Sequence, residues 1–404
     1  MRHSYEIIIN KGCQSKTPYV YNYSNTKGIE IHARKDNITI KFLMTVKKSY
    51  DDFINLKVNV FKDAYRKSFL LHAVLYDQSI KVKSIKISID GESKMYDKTT
   101  SGFPFIYSMI SEVPMKLPNQ WKSDDLCQYL INTTKSKQMN DLTSISIIAF
   151  LCSKGRPYII DRFSNLWTSM NAYYNWYAGL YNDYLLEKYH YDQATYRMIK
   201  KTLQKKDKKT FENLQNEGLP KGIILNGDRN CMDWLIKAVD SSYYKKKQDL
   251  PETKIKQGRH RVESLLSSMT EDELERLYVY SLSLINSETS DSNDEFYNIS
   301  SIVEEMGHSL YSYLVFELPY KCRCDYIHGN RALLLLSFEN EYEVRMLKAA
   351  SYFVERFLQE RIPSMINEED AKSYDRFLER ENEIKSGNLK TMNIHKTRVE
   401  KLLV

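Results

Sequence analysis

Residues 319–331 read PYKCRCDYIHGNR and set Arg323 and His328 five positions apart, with Asp325 between them and Gly329-Asn330 behind. A guanidinium holds a phosphate through paired, charge-assisted hydrogen bonds. An imidazole exchanges protons near neutral pH. Such a pair needs neither metal nor cofactor to act on RNA, whose own 2′-hydroxyl can attack the adjoining phosphate. Asp325 could orient His328 or pair with Arg323. The same residues also read as a surface ion pair beside a capping histidine, and the residues alone do not choose between the two.

Spacing by itself carries little. With 18 Arg and 8 His in the chain, four to six residues between Arg and His arise about once by accident. The chain has two such pairs, Arg323–His328 and Arg66–His72. The second lies in FKDAYRKSFLLHAVL, residues 61–75, which could be strand or helix. A His between Leu71 and Ala73 is expected to be a core or edge residue rather than a catalyst.

The elements around residues 319–331 are expected to be helical. On a straight α-helix five positions separate Arg323 and His328 by about 140°, so they converge only if the backbone bends or two copies of the motif meet. Upstream, residues 296–316 carry Ile302, Val303, Met306, Leu310, Tyr313 and Leu314 at helical spacing, and Pro319 is expected to interrupt that helix. The strongest helix runs from Ile160 to about Tyr189. Phe163, Leu166, Trp167, Met170, Tyr173, Tyr174, Tyr177, Leu180, Tyr181 and Tyr184 recur there at threes and fours, the pattern of a core-facing helix. A helix over 271–285 is capped by Thr270, with Glu273 completing a capping box. Another spans 338–361 and ends before Pro363, with Val344, Leu347, Val354, Phe357 and Leu358 inward. Residues 195–260 read as helical and Lys-rich. Lys200, Lys201, Lys205, Lys206, Lys208 and Lys209 form one cluster that suits either a solvated face or contact with RNA phosphates.

The first hundred residues read differently. Residues 5–10, 29–33 and 37–46 are β-branched or alternating, and SIKVKSIKISID, residues 79–90, alternates with a one-residue shift before Asp90-Gly91 marks a turn. Residues 101–140 hold Pro104, Pro114 and Pro118 and a short helical pattern at 123–132, and the domain boundary is placed here. Residues 141–154 read as a buried helix or strand.

Bulk properties suit a polyanionic partner without requiring one: the net charge is +7. Six Cys, of which only Cys322 and Cys324 are close, point to reduced thiols rather than a zinc site. No stretch approaches the length of a membrane helix and the first residues lack a signal-peptide pattern, so a soluble cytoplasmic chain is expected.

Arg323-Cys324-Asp325-Tyr326-Ile327-His328-Gly329 resembles the Arg-x4–6-His motif of HEPN-superfamily ribonucleases, including the His-Gly ending of the Apea-like branch. Asp161-Arg162-Phe163-Ser164-Asn165-Leu166-Trp167 resembles that branch's first long helix, and the likeness covers roughly residues 140–362. Cys324 departs from the pattern, since the family usually has a polar residue directly after the Arg. Taken with the strand pattern of the first hundred residues, the resemblance implies an α+β chain. A β-rich domain over 1–135 would precede an α-helical HEPN-like bundle over 136–363, with a C-terminal helix and tail over 364–404. It implies metal-independent endoribonuclease action with Arg323, His328 and Asp325 as catalytic residues and no cofactor. A homodimer is implied because the chain has one copy of the motif. The setting implied is antiviral defence or growth arrest by a toxin, with an inhibitor or activator as a further partner. A non-catalytic scaffold for nucleic acid or protein, and a sensor acting through the β-rich domain, are the competing expectations.

Overall fold

A computed structural model of the 404-residue chain describes residues 2–11, 21–24, 28–34, 36–76, 82–97, 117, 121, 137–154, 156, 158–188, 231–232, 235–236, 239–240, 251–285, 293–327 and 341–364. The fold is α+β. The chain divides into two compact units, Met1–Pro157 and Tyr158–Val404.

The first unit is built on a six-stranded antiparallel sheet of β1 (His3–Lys11), β2 (Tyr21–Ser24), β3 (Glu30–Ala33), β4 (Asn37–Met44), β5 (Val82–Ile89) and β6 (Glu92–Asp97), in the order β2-β3-β4-β1-β5-β6. Alternation sorts its two faces. Tyr5, Ile7 and Ile9, Ile38, Ile40 and Phe42, and Ile85, Ile87 and Ile89 are buried. Each such side chain contributes about 1.5–3 kcal/mol by leaving water. The one-residue shift in the β5 pattern is a β-bulge. Asn10 pairs Ser84 but Lys11 pairs Val82, so Lys83 is the extra residue that changes the facing of the strand. Asp90 and Gly91, at φ 52° and 93°, close the β5–β6 hairpin, where a two-residue turn needs both central residues at positive φ.

Two helices between β4 and β5, α1 (Tyr50–Ile54) and α2 (Asn59–Tyr76), bring rings onto the buried face of the sheet. Phe53 lies 5.2 Å from Tyr5 and 5.5 Å from Phe61, and the series continues through Tyr65 to Phe69. Residues 61–75 are therefore helical. His72 is buried, at 1% exposure, while Arg66 is exposed, so the second Arg–His pair does not present one surface. Residues 141–153 are also helical, within α3 (Lys137–Ser153), which belongs to the first unit.

The second unit is helical in its described parts: α4 (Ile159–Lys188), α5 (Glu252–Ser267), α6 (Glu271–Ile285), α7 (Tyr297–Glu305), α8 (residues 310–327) and α9 (Glu341–Ser364). The aromatic stripe of α4 packs inward as its spacing predicts. Phe163, Leu166, Trp167, Met170, Tyr173, Tyr174 and Tyr177 are all buried, and α9 lies along it with Phe357 edge-on to Tyr173 at 5.6 Å. The Thr270 capping box is present: Glu273 N–H donates to the Thr270 hydroxyl, and the Glu273 carboxylate accepts from Thr270 N–H at 2.7 Å. Among the described residues no helix is long and apolar enough to cross a membrane.

Two helix boundaries differ from expectation. Residues 296–316 are not one helix. Gly307, at φ 78°, ends α7 in a Schellman turn, with Gly307 N–H on the Glu304 carbonyl and His308 N–H on the Val303 carbonyl. Pro319 does not interrupt the next helix either. It lies inside α8, which runs as α-helical Leu310–Ser312, π-helical Tyr313–Glu317, α-helical Leu318–Cys322 and π-helical Arg323–Ile327. A proline has no N–H for the carbonyl four residues back and its ring crowds that carbonyl. The π turn just before it re-registers the ladder, with Leu318 N–H reaching the Tyr313 carbonyl, so the helix passes through. Pro363 is likewise within the last turn of α9.

Candidate active site

α8 starts from a buried anchor. Ser309 caps it, and the fully buried Asp240 carboxylate accepts from the Ser309 and Ser312 hydroxyls. A carboxylate at a helix N-terminus satisfies donors there and complements the helix dipole. From this fixed start the π turn Tyr313–Glu317 and Pro319 set the direction in which the last turn, Arg323–Ile327, leaves the core.

Arg323 is half-buried on that last turn, and its guanidinium lies over two rings. The distances are 5.5 Å to the Trp167 centroid and 5.9 Å to the Tyr320 centroid, and the rings are 6.1 Å apart. An aromatic face attracts a planar guanidinium through the negative charge of its π system. Trp167 is 4% exposed, so it is a fixed floor. The two stretches that carry the HEPN resemblance thus meet at Arg323 and Trp167. Arg162, from the same upstream stretch, binds Glu355 of α9 at 2.6 Å and ties α4 to its neighbour.

Beside Arg323 a small cleft is lined by Glu263 of α5, Lys321, Cys322, Asp325 and Tyr326 of α8, and Tyr342, Glu343 and Met346 of α9. Its contacts fasten the last turn of α8 on two sides. Lys321 pairs with Glu263, and the Tyr326 hydroxyl donates to Glu343. Tyr342 reaches Glu263 at 3.5 Å. Burial pushes the Glu343 carboxyl above its ordinary range, and the carboxylates of Glu263 and Asp325 push it the same way against Lys321. Burial also pushes the Cys322 thiol up, which keeps it protonated and inert. Among the described residues no group of three or more His, Cys, Asp or Glu is placed to hold a metal ion.

Of the expected site residues, Arg323 and Asp325 share one turn and Asp325 is half-buried at the cleft. Among the described residues no ion pair joins them. His328 and the cluster of Lys200, Lys201, Lys205, Lys206, Lys208 and Lys209 lie outside the described residues. The supporting roles of Tyr320, Lys321 and Tyr326 are not legible in the sequence, although Tyr320 and Lys321 flank the motif and Tyr326 lies within it. Nor are those of Glu263 and Glu343, for which no local signal exists, because their partners are distant in the chain.

Comparison with known proteins gives no matching family model, no matching curated protein and no matching solved structure.

Proposed function

We propose that the chain is a metal-independent endoribonuclease of the HEPN type that works as a homodimer, in antiviral defence or as a growth-arresting toxin. The observation that carries this reading is the meeting of the two stretches of the resemblance, with Arg323, at the start of the π turn Arg323–Ile327, over the ring of Trp167. A π turn inserts one extra residue into the helix and so changes which face the residues after it occupy. Insertions of this kind are frequent at functional sites. The position of Arg323 over Trp167 supports the reading further, because a buried ring holds the cation in place.

In this mechanism the 2′-hydroxyl of the substrate attacks the adjoining phosphorus in line. A 2′-O–P bond forms and the P–O5′ bond breaks, giving a 2′,3′-cyclic phosphate and a 5′-hydroxyl. His328 takes the 2′-hydroxyl proton or delivers one to the departing 5′-oxygen, and the partner copy of the motif supplies the complementary transfer. Arg323 neutralises the charge that grows on the phosphoryl oxygens. Asp325, on the same turn, supports the pair. Incubating the purified chain with RNA in EDTA tests this, with 2′,3′-cyclic phosphate ends as the expected product. Intact RNA under those conditions favours instead a HEPN-like scaffold that binds nucleic acid or protein without cutting.

A further inference from the structure

We propose that the outer flank of α5 is the track along which a single RNA strand reaches Arg323, an inference that rests on the ribonuclease reading. Residues 254–261 hold Lys254, Lys256, Arg259, His260 and Arg261. Arg259 is half-buried and the others are exposed. The inward side of the helix is fixed by packing: Gly258 lies against Ile302 of α7 and Met306 just after it, Val262 and Leu266 are buried, and Glu263 is buried at the edge of that side. At 100° per residue, Lys256, Arg259, His260 and Glu263 then fall within an arc of about 100° on the adjoining side. Glu263 marks where that side leads, because it pairs with Lys321, two positions before Arg323. The strip therefore begins at the candidate site and extends about 10 Å along the helix to Lys256.

The charges on it are poorly compensated. Lys256 meets Glu252 at 2.9 Å, but both groups are exposed, and such a pair contributes little. Among the described residues Arg259, His260 and Arg261 make no ion pair. A row of cations one helix wide follows one phosphate backbone, and attack by a 2′-hydroxyl needs a strand free to adopt the in-line geometry. Both favour single-stranded RNA.

The test is fluorescence anisotropy of a labelled single-stranded RNA over a salt series. It uses the full-length chain with His328→Ala, so that the probe is not consumed. Replacing Lys256, Arg259 and His260 by Gln is expected to weaken binding and to lower the log–log salt slope by about 1–2, since each lost phosphate contact on a single strand removes about 0.7. Arg259→Lys with Lys256→Arg keeps the charges and is expected to keep the slope. Circular dichroism verifies that each variant is folded. An unmoved slope in the folded Gln variant overturns the track, as does absence of RNA binding by the His328→Ala chain. Binding that depends on α5, in a chain that does not cut RNA, removes the ribonuclease reading and leaves the track standing. Cutting by the unaltered chain with an unmoved slope does the reverse.

Discussion

Arg323 owes its placement to Trp167 and Tyr320, and the two rings separate what the guanidinium does from how it is held. A cation–π contact of this kind contributes about 0.5–2 kcal/mol, so removing one ring should lower kcat by about 2–30-fold. Tyr320→Leu is the cleaner variant because Tyr320 is half-exposed, whereas Trp167→Leu opens a buried site. Tyr320→Phe is expected to retain the rate. Steady-state cleavage kinetics check this: a fall in kcat for Tyr320→Leu with KM little changed marks a positioning role, and an unchanged kcat contradicts it. Arg323→Lys should fail even though the charge is kept, because an ammonium offers neither the planar stack nor the forked donors. At Cys324 the HEPN resemblance expects a polar side chain. Cys324→Asn should therefore retain or raise cleavage, and loss of cleavage in a folded Cys324→Asn chain counts against that carry-over.

The helices that carry these residues depend on features of unequal visibility. The Thr270 capping box, the aromatic stripe of α4 and the alternation of β1, β4 and β5 are legible because each is set by neighbours in the sequence. The bulge at Lys83 shows as a phase shift in β5. The edge strands β2 and β6, YNYS and ESKMYD, carry little pattern and exist through pairing with β3 and β5. The π turns of α8 are equally hidden. Pro319 in an apolar run reads as a stop, and only the packed helix reveals that the turn before it absorbs the missing N–H. Gly307 is the true break, and Gly307→Ala should cost about 1–2 kcal/mol by forcing a side chain into the left-handed region, read as a lower midpoint in urea. An unshifted midpoint contradicts that account. Glu343 gives a pH signature for the fastening of α8. Its folded-state pKa is raised, so ionisation costs stability as pH climbs from the ordinary carboxylate range through the folded value. Glu343→Gln keeps an acceptor for Tyr326 and removes the charge. Its melting temperature should match wild type at acid pH and exceed it progressively toward neutral pH. A variant less stable than wild type at neutral pH contradicts this sign.

For the molecule as a whole, a composite site needs two copies of the chain, because one motif supplies one Arg and one His. Light scattering under cleavage conditions should give twice the chain mass, and a monomer that cuts RNA removes the composite site. The sheet-bearing unit, Met1–Pro157, carries no part of the proposed chemistry. Arg66→Ala, on the exposed side of α2, should leave cleavage unchanged. The proposed RNA cleavage by this chain depends on the Arg323–His328 pair, and one comparison tests it. Cleavage of a single RNA substrate in EDTA is measured for the unaltered chain, Arg323→Ala and His328→Ala, each verified as folded by circular dichroism. The unaltered chain should cut, and each variant should fall by at least about 10²–10³-fold, the loss expected when a group stabilising the transition state is removed. Full activity in folded His328→Ala would contradict it.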